Sequence, residues 1–270
     1  MEGIDPVHFA DGKITVEVDD GVGLLTFNNP AKRNAMSIEM WEGLDEALGR
    51  LEEDQAVRVV VLTGAGHEAF VSGADISQFD ESRSNSEAQR EYRKRTGAGR
   101  DRLLRFPKPT IARVRGFCLG GGLAIAIAAD VRIAAEDSSF GIPAAKLGIA
   151  YGLDMTRELV QLVGPAHARM LLYTGTRVDG AEAARTGLVN QVVPDEDLNE
   201  RVVDLARTMA DNAPLSIRAA KLTVAAVLAG EGERDTEGVE KAAEACFDSD
   251  DYREGRAAFK EKRPPRFQGR

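Results

Sequence analysis

A run of seven apolar residues directly after three consecutive glycines constrains the fold more than any other feature of the sequence. The glycines are Gly120, Gly121 and Gly122, and residues 123–129 read LAIAIAA. A helix formed by this run would be apolar on every side and must therefore be buried on every side. The rest of the chain has to surround it.

Several stretches of alternating or β-branched residues predict strands. Residues 13–19 alternate apolar and polar side chains, and residues 22–27 follow after a short turn, so the pair predicts a hairpin. Ser37 precedes an apolar stripe at helical spacing and is a candidate N-cap. Four further stretches have the composition of strands: 57–63, 110–114, 131–135 and 188–193.

Helical patterns dominate the sequence after about residue 154. A charged helix is predicted earlier, over residues 80–105, and Pro107 and Pro109 end it. The order of elements predicts an α/β core in residues 1–195, followed by a C-terminal helical region in residues 196–270. Three segments are the main helix candidates of that region: 195–211, 214–229 and 234–248.

Composition excludes several classes of function for this chain of 270 residues. Its net charge of −9 argues against a general nucleic-acid binder, which needs a basic face. The two cysteines are too few for a disulfide framework, and no Cys and His spacing suits a metal. No stretch is apolar for the ~20 residues that cross a bilayer, and no signal peptide is evident. We expect a cytoplasmic protein that binds neither metal nor membrane.

Two glycine-containing loops are candidate functional segments. Residues 70–76 (FVSGADI) follow a predicted strand, and residues 120–122 precede the buried helix. Glycines allow a ligand to approach the main chain, and free N–H groups at a helix start favour negative charge. Two such groups facing one carbonyl oxygen would form an oxyanion hole. The alternative interpretation is two tight turns. Neither loop has a nucleotide-binding motif.

Taken together and in order, these stretches resemble the crotonase superfamily of enoyl-CoA hydratases and isomerases. The resemblance covers almost the whole chain. It implies a spiral of ββα units followed by a C-terminal helical region. It also implies assembly into trimers or pairs of trimers. It also implies an acyl-CoA substrate and no separate cofactor. Five segments carry it: 28–37 (NNPAKRNAMS), 67–79, 108–149, 187–193 and 251–267.

The resemblance also implies site residues. Backbone N–H groups of Ala74 and Gly121 would hold the thioester oxygen. CoA would lie along Lys32, Arg33 and Ala35, and the tail residues Phe259 and Lys262 would contact its nucleotide end, often from a neighbouring subunit. Further residues at substrate-lining positions are Ser72, Gly73, Asp75, Ile76, Gly120, Pro143 and Ala144.

The chain departs from the superfamily pattern at the two glutamates that activate water in a hydratase. Their positions are Ala124 and Ala144, and alanine can neither accept nor donate a proton. General acid–base help is worth about 10²–10⁴ per group, so efficient hydration is not expected. Tyr151 and Asp154 are candidate replacements; alternatively, Tyr151 lines the pocket and Asp154 caps a helix.

Isomerisation, decarboxylation and C–C cleavage are the candidate reactions. The alternative is an acyl-CoA binding protein that has lost the chemistry; a structural partner without CoA affinity is disfavoured by Lys32, Arg33 and Lys262. Cys118, between apolar neighbours, is interpreted as a buried small residue rather than a nucleophile. Glu158 is interpreted as a solvated charge on a helix.

Overall fold

The fold is described from a computed structural model that covers residues 5–78, 85–230 and 232–270. Residues 80–84, the beginning of the helix predicted over 80–105, lie outside this range. The strands are β1 (Val7–Phe9), β2 (Ile14–Asp19), β3 (Val22–Phe27), β4 (Val59–Gly64), β5 (Ala69–Val71), β6 (Thr110–Val114), β7 (Phe117–Leu119), β8 (Val131–Ala135), β9 (Ser139–Gly141), β10 (Arg177–Asp179) and β11 (Gln191–Val193). The helices are α1 (Ile38–Glu53), α2 (Ser86–Leu104), α3 (Gly121–Ala128), α4 (Leu153–Thr174), α5 (Gly180–Thr186), α6 (Leu198–Asp211), α7 (Pro214–Leu228), α8 (Thr236–Asp248) and α9 (Asp250–Glu261).

Most of the elements predicted from local patterns are confirmed. β2 and β3 form the predicted antiparallel hairpin. The side chain of Ser37 accepts a hydrogen bond from the N–H of Met40, so Ser37 is the N-cap of α1. β4, β6 and β8 coincide with predicted strands, and the strand predicted over 188–193 is shortened to β11. The segment 251–270, for which no helix was predicted, begins with α9.

The strands form two sheets whose topology confirms the predicted spiral of ββα units. The large sheet has the order β1-β2-β3-β4-β6-β8-β11, and the small sheet has the order β10-β9-β7-β5. Each turn of the spiral adds one strand to the large sheet and the next strand to the small sheet: β4 then β5, β6 then β7, and β8 then β9. Strands of successive turns pair in parallel, because a helix or a long connection returns the chain between them.

The central strands of the large sheet are buried on both faces. In β4, Val60 and Leu62 face the main core, whereas Val59 and Val61 pack with Val202 of α6 on the opposite face. Burial on both faces explains why this stretch of sequence is almost continuously apolar rather than alternating.

The helix predicted to be buried on every side is α3. Every residue from Leu123 to Ala128 is at most 5% exposed. α3 lies between the small sheet, α2 and α4, so it positions the triple glycine at its beginning. The prediction from the seven apolar residues is therefore confirmed.

The C-terminal helices leave apolar side chains on the surface of the chain. Neither α7 nor α8 has a buried residue. The exposed apolar side chains in this region include Val224, Val227, Leu228, Phe247 and Phe259. Within the described residues, no helix is both long enough and apolar enough to cross a bilayer.

Candidate active site

The first part of the site is the loop after β5, which passes beside the beginning of α1. The N–H of Met36 donates to the carbonyl of Gly73 at 2.8 Å, and the N–H of Asp75 donates to the carbonyl of Met36 at 2.8 Å. This parallel bridge uses the groups on either side of Ala74 and leaves the N–H of Ala74 on the other face of the loop. That N–H donates to no described residue.

The second part is the triple glycine, where each residue has its own structural requirement. Gly120 has φ 51° and ψ −112°, a conformation that favours glycine, and its N–H donates to the carbonyl of Gly141 at 2.9 Å. α3 begins at Gly121. A Cβ on Gly122 would lie 2.0 Å from the carbonyl oxygen of Val71, so only glycine lets α3 begin this close to β5.

The two parts meet at Gly121. A Cβ placed on Gly121 would lie 3.8 Å from the nitrogen of Ala74 and 3.3 Å from Cζ2 of Trp41. The N–H of Gly121, in the first turn of a helix, donates to no described residue. Two adjacent free N–H groups, one of them at a helix N-terminus, favour an oxygen that carries negative charge.

The two positions that the resemblance assigns to the hydratase glutamates hold buried methyl groups. Ala124 lies on α3, one turn after Gly121, and is 1% exposed. Ala144 is 7% exposed and belongs to the short helical turn Pro143–Leu147. Pro143 borders the amide pair, because its Cδ would lie 4.0 Å from a Cβ on Gly120. No proton can be transferred at either alanine.

The basic residues of the site are held by carboxylates. Nζ of Lys32 lies 2.7 Å from Oδ2 of Asp75 and donates to Oγ of Ser77 at 3.3 Å. Nε of Arg33 lies 2.9 Å from Oε2 of Glu68. Burial opposes ionisation of Asp75, but hydrogen bonds from Lys32 and Ser77 outweigh it and hold the pKa of Asp75 below its usual value. Both cations remain more than half exposed, so they stay open to an anionic ligand.

The tight turn that carries these cations is fixed by a buried asparagine. Arg33 and Asn34 both have positive φ, and the side chain of Asn34 donates to the carbonyl of Ala69 at 2.8 Å. The N–H of Ser72 donates to the carbonyl of Arg33 at 3.1 Å. The N–H of Ala35 donates to the carbonyl of Lys32, and this hydrogen bond closes the turn. The turn is therefore joined to the loop that presents Ala74.

Three residues named by the resemblance are exposed on the described chain. Ile76 is 69% exposed, directly after the loop that carries Ala74. Phe259, 87% exposed, lines a groove of about 650 Å³ formed by residues of α7, α8 and α9. Lys262 ends α9 in a left-handed conformation with φ 55°.

Tyr151 and Asp154 have opposite environments. The hydroxyl of Tyr151 is buried and has no hydrogen-bond partner among the described residues. Burial raises the pKa of Tyr151, so the phenol stays protonated at neutral pH. Asp154 is exposed in the first turn of α4. The interpretation of Asp154 as the N-cap is wrong, because α4 begins one residue earlier and Gly152 is at the cap.

The expectation that Glu158 is solvated is also wrong. Its side chain is 12% exposed and pairs with Arg100, which is 7% exposed. Nε of Arg100 donates to the carbonyl of Ala124 at 3.3 Å. α2 and α4 each pack against α3, so two residues 58 positions apart meet beside it. Cys118, in contrast, is fully buried as predicted.

The sequence matches a known protein family. The model of the family described as enoyl-CoA hydratase/isomerase matches residues 17–270. The chain belongs to the enoyl-CoA hydratase/isomerase family.

Relatives in this family match most of the chain. The short-chain-enoyl-CoA hydratase of Clostridium acetobutylicum is 34% identical over 250 residues, which are 93% of this chain and 95% of the relative. The hydroxycinnamoyl-CoA hydratase-lyase of Pseudomonas fluorescens is 37% identical over 211 residues, 77% of this chain and 76% of the relative. A crystal structure of an enoyl-CoA hydratase/carnithine racemase from Magnetospirillum magneticum superimposes with a TM-score of 0.91 at 34% identity and covers 96% of both chains.

These comparisons confirm the expected superfamily, the fold and the general class of an acyl-CoA thioester enzyme. The relatives' names differ in reaction, since one is a hydratase and another a hydratase-lyase. Family membership therefore leaves open which reaction this chain catalyses.

A second arginine, Arg177, lies beside Arg33 in this enoyl-CoA hydratase/isomerase family member, and no sequence pattern singled it out. Its guanidinium carbon lies 4.9 Å from the centre of the Phe117 ring, and that of Arg33 lies 5.5 Å from the same centre. The side chain of Arg177 passes over Gly141 on its way to the ring, since a Cβ placed on Gly141 would lie 3.4 Å from Cγ of Arg177. The pairing of β10 with β9 and of β9 with β7 brings Arg177 to Phe117, and no local sequence signal could have predicted it.

Proposed function

We propose that this chain is an acyl-CoA enzyme that holds the thioester oxygen between the N–H groups of Ala74 and Gly121. The observation that carries the proposal is that these two N–H groups are adjacent and have no partner among the described residues. Fixed donors stabilise negative charge as it develops on the thioester oxygen. Loss of an α-proton or attack at the carbonyl carbon then becomes easier.

The proposed reaction proceeds through an enolate and is not efficient hydration. The buried methyl groups of Ala124 and Ala144 cannot activate water. Isomerisation, decarboxylation and C–C cleavage share an enolate or oxyanion, which the amide pair would stabilise in each case. Tyr151, a protonated phenol, and Asp154, an exposed carboxylate, are the proton-transfer candidates that the sequence supplies.

The proposed CoA path begins at Lys32, Arg33 and Ala35 and enters the site past Ser72 and Ile76. An acidic chain must hold a polyanionic ligand with local cations, and these lysine and arginine side chains suit phosphate groups. We further propose that Phe259 and Lys262 reach the nucleotide end of CoA from a neighbouring subunit. The exposed apolar side chains of α7, α8 and α9 would be covered in the homotrimer or dimer of trimers that this requires.

A second candidate function is acyl-CoA binding without turnover. The observation that favours it is the absence of an accessible acid or base at Ala124 and Ala144, together with the burial of the Tyr151 hydroxyl. A binding protein would hold the thioester oxygen in the same way and release the acyl-CoA unchanged.

Deuterium exchange at the α-carbon distinguishes the two functions without knowledge of the natural acyl group. The protein is incubated in D₂O with acetyl-, butyryl- or phenylacetyl-CoA, and the mass of the recovered thioester is measured. We expect binding and α-deuteration of at least one thioester. Binding without deuteration would support the second candidate, and no binding would contradict both. Hydration of crotonyl-CoA at rates usual for hydratases would contradict the argument from Ala124 and Ala144.

Replacing Arg33 with methionine tests the proposed CoA path. The substitution keeps an aliphatic chain over Phe117 and removes the charge. We expect about fivefold weaker binding of butyryl-CoA, because an exposed charge contact is worth about 1 kcal/mol. Binding of S-butyryl-pantetheine, which lacks the nucleotide phosphates, should be unchanged. Titration calorimetry measures both.

The control for Arg33→Met is Arg185→Met. Arg185 is another exposed arginine paired with a glutamate, Glu182. An equal loss of butyryl-CoA affinity in both variants, or an equal loss for both ligands in Arg33→Met, would show that Arg33 does not contact the nucleotide end.

A further inference from the structure

The Arg100–Glu158 pair is the least exposed ion pair in the part of the chain that the structure describes. Its side chains are 7% and 12% exposed. In every other described ion pair, at least one of the two side chains is 33% exposed or more; in Lys32–Asp75 it is Lys32, at 52%. Removing two charges from water is costly unless their geometry compensates for it. A buried pair at this position therefore needs a reason beyond surface solubility.

Arg100 contacts one of the two alanines directly, and Glu158 lies on a helix that packs against the turn carrying the other. Nε of Arg100 donates to the carbonyl of Ala124, one helical turn or ~4.5 Å along the axis from Gly121. Glu158 belongs to α4, which also packs against the turn that contains Ala144. A carboxylate is thus supplied from a different helix to the region where two carboxylates are missing.

The two carboxylate oxygens of Glu158 differ in their surroundings. Oε2 faces Nη2 of Arg100. Oε1 accepts no hydrogen bond from a described residue, and it is not among the fully buried polar atoms that lack a partner. One oxygen is therefore held in place, while the other remains open to a proton.

The charges around Glu158 suit a proton acceptor. Burial raises the pKa of Glu158, and the positive charge of Arg100 opposes this rise. The negative charges of Asp154 and Asp101 raise the pKa further. Tyr151 contributes an uncharged phenol, since burial keeps it protonated. The carboxylate is therefore more basic than an exposed glutamate.

Resting on the proposed function, we propose that Glu158, in place of the exposed Asp154, is the catalytic carboxylate that takes and returns the α-proton of the acyl-CoA, with Arg100 as its positioning residue. In the forward step the α-C–H bond breaks and an O–H bond forms on Oε1. The electron pair of the broken bond forms the enolate, whose oxygen lies between the amides of Ala74 and Gly121. Exchange of the Glu158 proton with solvent and reversal of the step give the α-deuterated thioester.

Glu158→Gln tests this assignment on the full chain with butyryl-CoA in D₂O. Glutamine keeps the shape and loses the basic oxygen, so we expect α-deuteration to fall at least about 100-fold. Affinity for butyryl-CoA should change less than threefold. In the parent protein the exchange rate should rise with pH as Glu158 ionises, and this rise should be absent from Glu158→Gln. Glu158→Asp should recover part of the rate.

A matched control is Glu237→Gln, which removes an exposed carboxylate paired with Lys241 and should leave the exchange rate unchanged. Unchanged exchange in Glu158→Gln would overturn the proposal. A rate loss that only follows the unfolded fraction, with the pH profile retained, would also overturn it and assign a structural role. Parent protein that binds butyryl-CoA without exchange would overturn the role of Glu158 but leave acyl-CoA binding intact. Absence of binding would overturn the proposed function itself.

Discussion

Gly121→Ala is expected to lower α-proton exchange about 10²–10³-fold while the chain still folds. The new Cβ would lie 3.8 Å from the Ala74 nitrogen, so it would crowd the proposed position of the thioester oxygen. Loss of one oxyanion donor costs this much in other enzymes. The contacts of the methyl group are tolerable, because the tightest is 3.3 Å to the edge of the Trp41 ring.

Deuterium exchange and urea unfolding of the same preparation measure the two parts of this prediction. The control is Gly97→Ala on α2, where a Cβ would meet no atom within 4 Å. Alanine favours a helix over glycine by about 1 kcal/mol, so this control should be slightly more stable and exchange at the parent rate. Exchange by Gly121→Ala within threefold of the parent rate would contradict the placement of the thioester oxygen.

Local sequence patterns predicted the large sheet better than the small one. β4, β6 and β8 are five or six residues long and rich in valine, isoleucine or alanine, so their composition identifies them. β5, β7 and β9 have only three residues each, which is too short for a periodic signal. Their pairing with one another defines them, and that pairing is not a local property.

The small sheet carries the segments that matter for the site. β5 leads to Ala74, β7 leads to Gly121, and β9 leads to Pro143. The two glycine loops are recognisable in the sequence because glycine has backbone freedom that other residues lack. Their proximity does not follow from composition. The resemblance to a known superfamily predicted which two residues would be neighbours.

Charged residues were the least predictable part of the site. Glu158 occupies a helix whose pattern gives no sign of a partner, and Arg100 lies 58 positions earlier in a highly charged segment. A solvated surface is the usual place for such residues. The available signal was indirect: the resemblance places alanines at both glutamate positions, so it implies that any proton-transfer group comes from elsewhere in the chain.

Gly122→Ala, one residue from the first variant, is expected to remove stability rather than activity. Its Cβ would lie 2.0 Å from the carbonyl oxygen of Val71 and 2.8 Å from two further atoms of that residue. β5 and the beginning of α3 would have to separate by more than an ångström, and both are buried. We expect a loss of about 3–5 kcal/mol in the free energy of unfolding, a large part of the stability of an ordinary domain.

Urea unfolding followed by circular dichroism measures this loss, and soluble yield measures it if the variant does not accumulate in folded form. Gly97→Ala again controls for the addition of a methyl group to a helix. A Gly122→Ala protein as stable as the parent would mean that α3 does not begin against β5 as described, and the spacing of the two amides would no longer follow. Adjacent glycines with the same substitution thus separate the two requirements, since Gly122 allows the helix to approach the strand and Gly121 leaves room for the substrate oxygen.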